Sequence, residues 1–297
     1  MRIYTHVPGR RIVAGLTLMA LFLVACTNGG PGTRAPSQPP QIPPQSTFVM
    51  DFADFAPPAL TSVSPSPSAI PAFFKRSDDL RSTTQATGDR SNWGYAALNV
   101  GFWNIVGALG LAVPVASFLE SFKHSPTQQP DLSWVWTYSV TIQGSTYGAE
   151  LHGRYIDRGV RWEMHVSKQG EYSDFVWYYG ESDLPATEGF WVLKNKPSDP
   201  SDLIRIDWRR NRVENTGDIK YTNVVPGGAE NGGYISYSVI RSTPYDRTYD
   251  IYNKGRNQTI SIEWNSTTKE GRVKDSAHFR DDSWHYWNSE LINIQSR

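Results

Sequence analysis

From Leu132 onward, apolar side chains recur at every second residue, the period of a strand with one buried face. Trp134, Trp136, Tyr138, Val140 and Ile142 alternate with Val135, Thr137, Ser139 and Thr141. Tyr147, Ala149, Leu151 and Tyr155 alternate with Glu150, His152 and Arg154, and Val160, Trp162, Met164 and Val166 alternate with Arg161, Glu163, His165 and Ser167. The same pattern predicts strands near 173–180, 188–195, 202–210, 217–225, 233–241, 247–254, 258–265 and 271–275. Turn signals divide them, among them Gln143-Gly144-Ser145, Asp157-Arg158-Gly159, Gln169-Gly170, Gly227-Gly228, Lys254-Gly255 and Glu270-Gly271. Strands joined by such short connections form an antiparallel meander. The predicted fold is mainly β, a large curved antiparallel meander sheet or partial barrel of about ten to eleven strands.

Upstream the period changes. No charged residue lies between Arg90 and Glu120. Leu98, Phe102, Ile105 and Leu109 fall at helical spacing, with Ala97, Gly101, Ala108 and Ala112 on another side. This predicts a helical segment near 91–122, bent or broken at Pro114. Three placements fit its composition: packed against the sheet, spanning a membrane, or dipping into lipid as a hairpin. Four glycines, Asn99, Asn104 and Pro114, and the lack of a basic flank, favour packing on the sheet.

Nearer the start, Phe48 to Phe55 is the first apolar cluster and is expected to be a strand or docking segment. A Pro/Ser stretch from Pro57 to Pro71 is expected to loop over the surface. Residues 27–47 are rich in Pro, Gly, Ser, Thr and Gln and read as a flexible tether. Arg2, Arg10 and Arg11 precede an uncharged apolar run from Ile12 to Ala25, the shape of a signal peptide. The boundary Leu23-Val24-Ala25-Cys26 resembles the lipobox of bacterial lipoprotein precursors. That resemblance implies removal of residues 1–25 and lipidation of Cys26, which would become the N-terminus and hold the chain on a bilayer. Thr27 follows in place of the aspartate that retains many such proteins at the inner membrane, so the resemblance implies the outer membrane where the organism has one. Residues 48–297 then form a single β-rich domain.

Charge and cysteine usage narrow the partners. Cys26 is the one cysteine of the chain, so no disulfide framework is expected. Removing three arginines from 29 basic residues, against 29 acidic ones, leaves the mature chain at −3. A weakly acidic domain argues against nucleic acid as a partner.

Candidate chemistry is sparse. Tyr147 and Leu151 must share a face with Trp162 and Met164, which places Glu150, His152, Glu163 and His165 together on the opposite face. In one register His152 faces Glu163 and Glu150 faces His165. Two imidazoles and two carboxylates are weak candidates for a divalent metal site. A solvated charge ladder is the stronger expectation, because Arg154 and Arg161 compete for the carboxylates. Asp78/Asp79, Asp281/Asp282 and Asp207 between Arg205 and Arg209 read as ordinary surface charge. No serine carries a nucleophile-elbow signature and no glycine loop cradles phosphate. No catalytic residue and no cofactor is predicted. Among 38 aromatic residues (11 Trp, 15 Tyr and 12 Phe), Trp177-Tyr178-Tyr179 and Trp284-His285-Tyr286-Trp287 stand out as core, rim or ligand-stacking groups.

The favoured expectation is a non-enzymatic, membrane-anchored envelope lipoprotein that holds an apolar or amphiphilic, hydrophobic ligand between sheet and helix. The layout is loosely similar to the half-open barrels of lipoprotein-carrier proteins, in architecture alone. The alternatives are a surface-exposed protein- or glycan-recognition module and a metal-dependent enzyme around His152 and His165.

Overall fold

The computed structural model describes residues 37–50, 88–110, 112–142 and 144–295, with backbone alone at 101–110. The expected signal peptide, the lipobox with Cys26, the first part of the tether, residues 51–55, the Pro57–Pro71 stretch and Asp78/Asp79 lie outside them.

The chain is mainly β. Among the described residues fourteen strands form one antiparallel sheet whose spatial order is the sequence order. They are β1 (Thr127–Gln128), β2 (Trp134–Ile142), β3 (Ser145–Ile156), β4 (Gly159–Lys168), β5 (Tyr172–Asp183), β6 (Glu188–Lys196), β7 (Asp199–Asn211), β8 (Thr216–Asn223), β9 (Tyr234–Val239), β10 (Arg247–Asn253), β11 (Gln258–Trp264), β12 (Gly271–Lys274), β13 (His285–Trp287) and β14 (Asn293–Ile294). β1 and β14 are not paired with each other, so the sheet is open. The count exceeds the expected ten to eleven because β1, β13 and β14 are two or three residues long, too short to display a period of two.

Register lines one row of core side chains straight across ten strands. Trp134, Gly153, Trp162, Gly180, Trp191, Ile206, Tyr221, Ile235, Ile251 and Ile260 each pair with the next. In its first half tryptophan and glycine alternate, and Trp264–Gly271–Trp287 repeats the device in β11–β13. An indole is too wide for neighbours of ordinary size on both adjacent strands, and a bare Cα gives it room. A methyl group on Gly180 would sit 2.6 Å from Trp191 Cε3 and 2.1 Å from the Phe190 carbonyl oxygen. Gly180→Ala is therefore expected to lower the unfolding free energy by about 2 kcal/mol, measured by urea titration; an unchanged midpoint would show that the row relaxes freely.

The expected helical segment forms two helices, α1 (Ser91–Gly110) and α2 (Ala112–Ser121). Pro114 lies in the first turn of α2, where its missing N–H costs nothing. Its ring clashes with a helical carbonyl four residues back, at Gly110, and α1 ends there. α1 packs on β12, β13 and β14, while α2 packs on β2 and β3. The Tyr138 hydroxyl donates to the Ser117 carbonyl oxygen at 2.6 Å and fixes α2 on β2. No helix among the described residues is long and apolar enough to cross a membrane.

The middle of the core face is covered by the N-terminal segment. Here the expected tether is corrected, because Ser37–Thr47 lies against the sheet: Pro40 and Pro43 are buried, and Pro40 lies beside Gly153. Prolines dock at low entropic cost because φ is already fixed. A 3-10 turn at Gln45–Thr47 leads into Phe48–Met50, so the described part of the first apolar cluster is a docking segment and not a strand. The fully buried Phe48 ring stacks on Phe118 at 4.7 Å and meets Tyr178 and Trp191 at 4.8 and 5.8 Å. The Met50 N–H donates to the Tyr221 hydroxyl at 2.8 Å, which itself donates to the Phe48 carbonyl at 3.0 Å.

Candidate functional site

The outer face of β3 and β4 carries the four residues singled out from the sequence. Glu150 pairs with His165 and His152 with Glu163, and the two imidazole centroids lie 4.5 Å apart. The side chains reach sideways rather than to a shared centre. His152 Nε2 meets Glu150 at 3.3 Å, while His165 Nδ1 meets Asp174 at 2.7 Å. Arg161 Nε donates to Glu163 at 3.0 Å, and Arg154 is ion-paired with Asp131. Among the described residues no group of three or more His, Cys, Asp and Glu could hold a metal ion. The surface charges are likewise paired: Arg205 with Asp207, Arg209 with Asp218, and Asp282 with Lys274.

The two aromatic runs divide. In β5, Met164 pairs with Tyr178 and His165 with Val176, so Trp177 is the extra residue of a bulge. The bulge lets Trp177 and Tyr178 both join the core, while Tyr179 donates to Asp202 at 3.0 Å on the other face. In the second run Trp287 is core, and Trp284 and His285 open onto a groove.

Three distant stretches build that groove, which encloses about 640 Å³. The first turn of α1 is sewn to β13 and β14. The Ser91 N–H donates to Asp89 at 2.9 Å, and the Asn92 N–H donates to the Asn293 side-chain oxygen at 3.1 Å. Asn293 Nδ2 donates in turn to Ser91 Oγ at 2.9 Å, and Asn92 Nδ2 donates to the Tyr286 carbonyl at 3.0 Å. Gly88, at φ +107°, allows this approach, since a Cβ there would meet Ile292 at 2.8 Å.

A short helix, α3 (Ser276–Phe279), forms the second wall. The buried Asp275 caps it, accepting from the Ala277 and His278 N–H groups at 3.0 and 3.3 Å. The same carboxylate accepts from Gln258 Nε2 at 2.5 Å and from the Tyr95 hydroxyl of α1. Burial, and secondarily that bond to Asp275, hold the Tyr95 phenol well above its ordinary pKa. Rings then alternate along the wall. Tyr95 stacks on His278 and Phe279 on His285, each pair at 3.7 Å and 11°. Asp281 lies below the usual carboxylate range because it accepts from the Ser283 N–H and bonds His285. The Arg272 guanidinium lies 4.2 Å from the Trp284 ring and is held by Glu263 at 2.8 Å.

Sequence reasoning marked Trp284 and His285 as an aromatic run but not Asp89, Asn92, Phe279 or Asn293. Asn92 and Asn293 stand 201 positions apart, and nothing local ties the first turn of α1 to the end of the domain.

The fold defines the class, an open antiparallel meander capped on one face by helices and an N-terminal strap. No family model, curated protein or solved structure matches the chain.

Proposed function

We propose that the chain is a membrane-anchored cell-envelope lipoprotein whose β domain is a non-enzymatic recognition module, binding its ligand in the groove between α1, α3 and β13–β14. The groove carries this reading: its walls combine exposed ring edges with hydrogen-bonding groups already fixed by other parts of the chain, so a ligand meets little ordering cost. The groove is preferred to the space between sheet and helix because Phe48 and Phe118 fill the middle of the core face. The sheet is taken to curl into a partial barrel around that plug, since fourteen strands with one shared apolar cluster favour curling over a flat layer.

Anchoring rests on Leu23-Val24-Ala25-Cys26, with Thr27 pointing to an outer membrane where one exists. Cys26→Ser is expected to move the protein from the membrane to the soluble fraction or to leave it unprocessed. Mass spectrometry of the wild type is expected to find an acylated N-terminal Cys26. A mature chain without acyl mass would overturn the anchor while leaving the groove untouched.

A further inference from the structure

We infer that the groove takes a neutral polyhydroxylated ligand, a short uncharged oligosaccharide; this rests on the groove's being the binding site. The lining holds no lysine or arginine, and Asp89 is its one acid. The charged groups at its walls are already engaged, Asp281 with His285 among them. Arg272 is committed to Glu263 and to the Trp284 ring, and Asp89 accepts the Ser91 N–H. An anion would find no lysine or arginine in the lining, the His285 imidazole is already bonded to Asp281, and the first N–H groups of α1 are capped by Asp89 and Asn293. A cation would find one carboxylate with a single partner, too few oxygens for a metal.

What remains is the chemistry that sugars use. The Trp284 indole N–H and the Gln295 amide have no hydrogen-bond partner among the described residues, and the Ser91 hydroxyl retains its proton to donate. A sugar ring offers hydroxyls around its rim and C–H groups on its faces. It can therefore satisfy amide, indole and hydroxyl groups while lying against rings. Trp284 is pre-set for that role by the guanidinium beside it, and Phe279 by its stack on His285. The cavity is within the range of about 300–1,000 Å³ that small-ligand sites occupy and is open enough for a chain to extend beyond it. A fully apolar ligand would strand the Trp284 N–H, the Ser91 hydroxyl and the Gln295 amide, each a cost to binding.

The test uses the full chain, purified with its membrane anchor in detergent. It is applied to an array of neutral glucose-, galactose-, mannose- and N-acetylglucosamine-based oligosaccharides beside sialylated and sulfated ones, and to a random peptide library. The strongest neutral hit is then titrated calorimetrically. Neutral glycans are expected to bind, with affinity nearly constant from roughly 0.05 to 0.5 M salt. Trp284→Ala is expected to weaken binding by about tenfold or more, and the exposed Gln295→Ala by about threefold, with unchanged thermal midpoints. Binding confined to acidic glycans, or neutral binding indifferent to both substitutions, would overturn the inference. A peptide that binds the wild type and is lost in Trp284→Ala would overturn the sugar but keep the groove. If no glycan or peptide responds to either substitution, both fall.

Discussion

Phe48→Ala is expected to lower the unfolding free energy by about 3–5 kcal/mol, the range for truncating a fully buried aromatic ring. Phe48 touches Phe118 of α2, Tyr178 of β5 and Trp191 of β6. Its own carbonyl and the Met50 N–H that follows are both held by one hydroxyl, Tyr221. The pinning matters for the magnitude, because it keeps the strap from sliding inward to refill the void. The cavity would therefore persist, and its cost adds to the lost transfer energy. Phe48→Leu, which retains most of the volume, is expected to lose less than half as much. Urea unfolding followed by tryptophan fluorescence measures both. A loss under about 1 kcal/mol for the alanine variant would mean that the strap is a surface feature, contrary to its burial.

Asp275→Ala is expected to be nearly as damaging, at about 3 kcal/mol. Four donors converge on this carboxylate: Tyr95 of α1, Gln258 of β11, and the Ala277 and His278 N–H groups of α3. A hydrogen bond to a charged group contributes about 1.5–3 kcal/mol, and a buried donor left without an acceptor costs a comparable amount. The total stays below the sum because α3 is short and its N–H groups can turn to water. The loss has a spatial signature. α1 and α3 wall the groove, so hydrogen exchange is expected to rise first in 91–95 and 276–279, ahead of the central strands. Uniform exchange across the sheet would contradict this.

Much of the fold was legible because the sheet is local in sequence. Parity alone placed Glu150, His152, Glu163 and His165 on one face, since Tyr147, Leu151, Trp162 and Met164 share the other, while the pairing of His152 with Glu163 and Glu150 with His165 was one register among several and is set by the structure. Alternation is strong where one face is buried and the other wet, which holds for β2 to β4. It fails where a strand is two residues long, as in β1 and β14, or where a bulge breaks phase, as at Trp177. The docked prolines were illegible for a different reason. Composition records what a segment can bury by itself, and Pro40 and Pro43 are buried by the sheet. The Trp–Gly row needs register before it can be seen, since Gly153, Gly180 and Gly271 look like turn or bulge glycines one strand at a time. The groove needs tertiary structure, because its walls come from opposite ends of the domain.

The strap has a temporal consequence. Each strand of the meander pairs with its sequence neighbour, so hairpins can zip as the chain lengthens, with little loop entropy to overcome. The strap, like the first turn of α1, is an exception, for Met50 reaches Tyr221 across 171 positions and Trp191 reaches Thr47 across 144. A growing polypeptide therefore presents Phe48 early and can seat it only after β8 has emerged. Until then the ring and its tryptophan-lined berth are both bare, and a chaperone that shields the nascent N-terminal stretch would act in that interval.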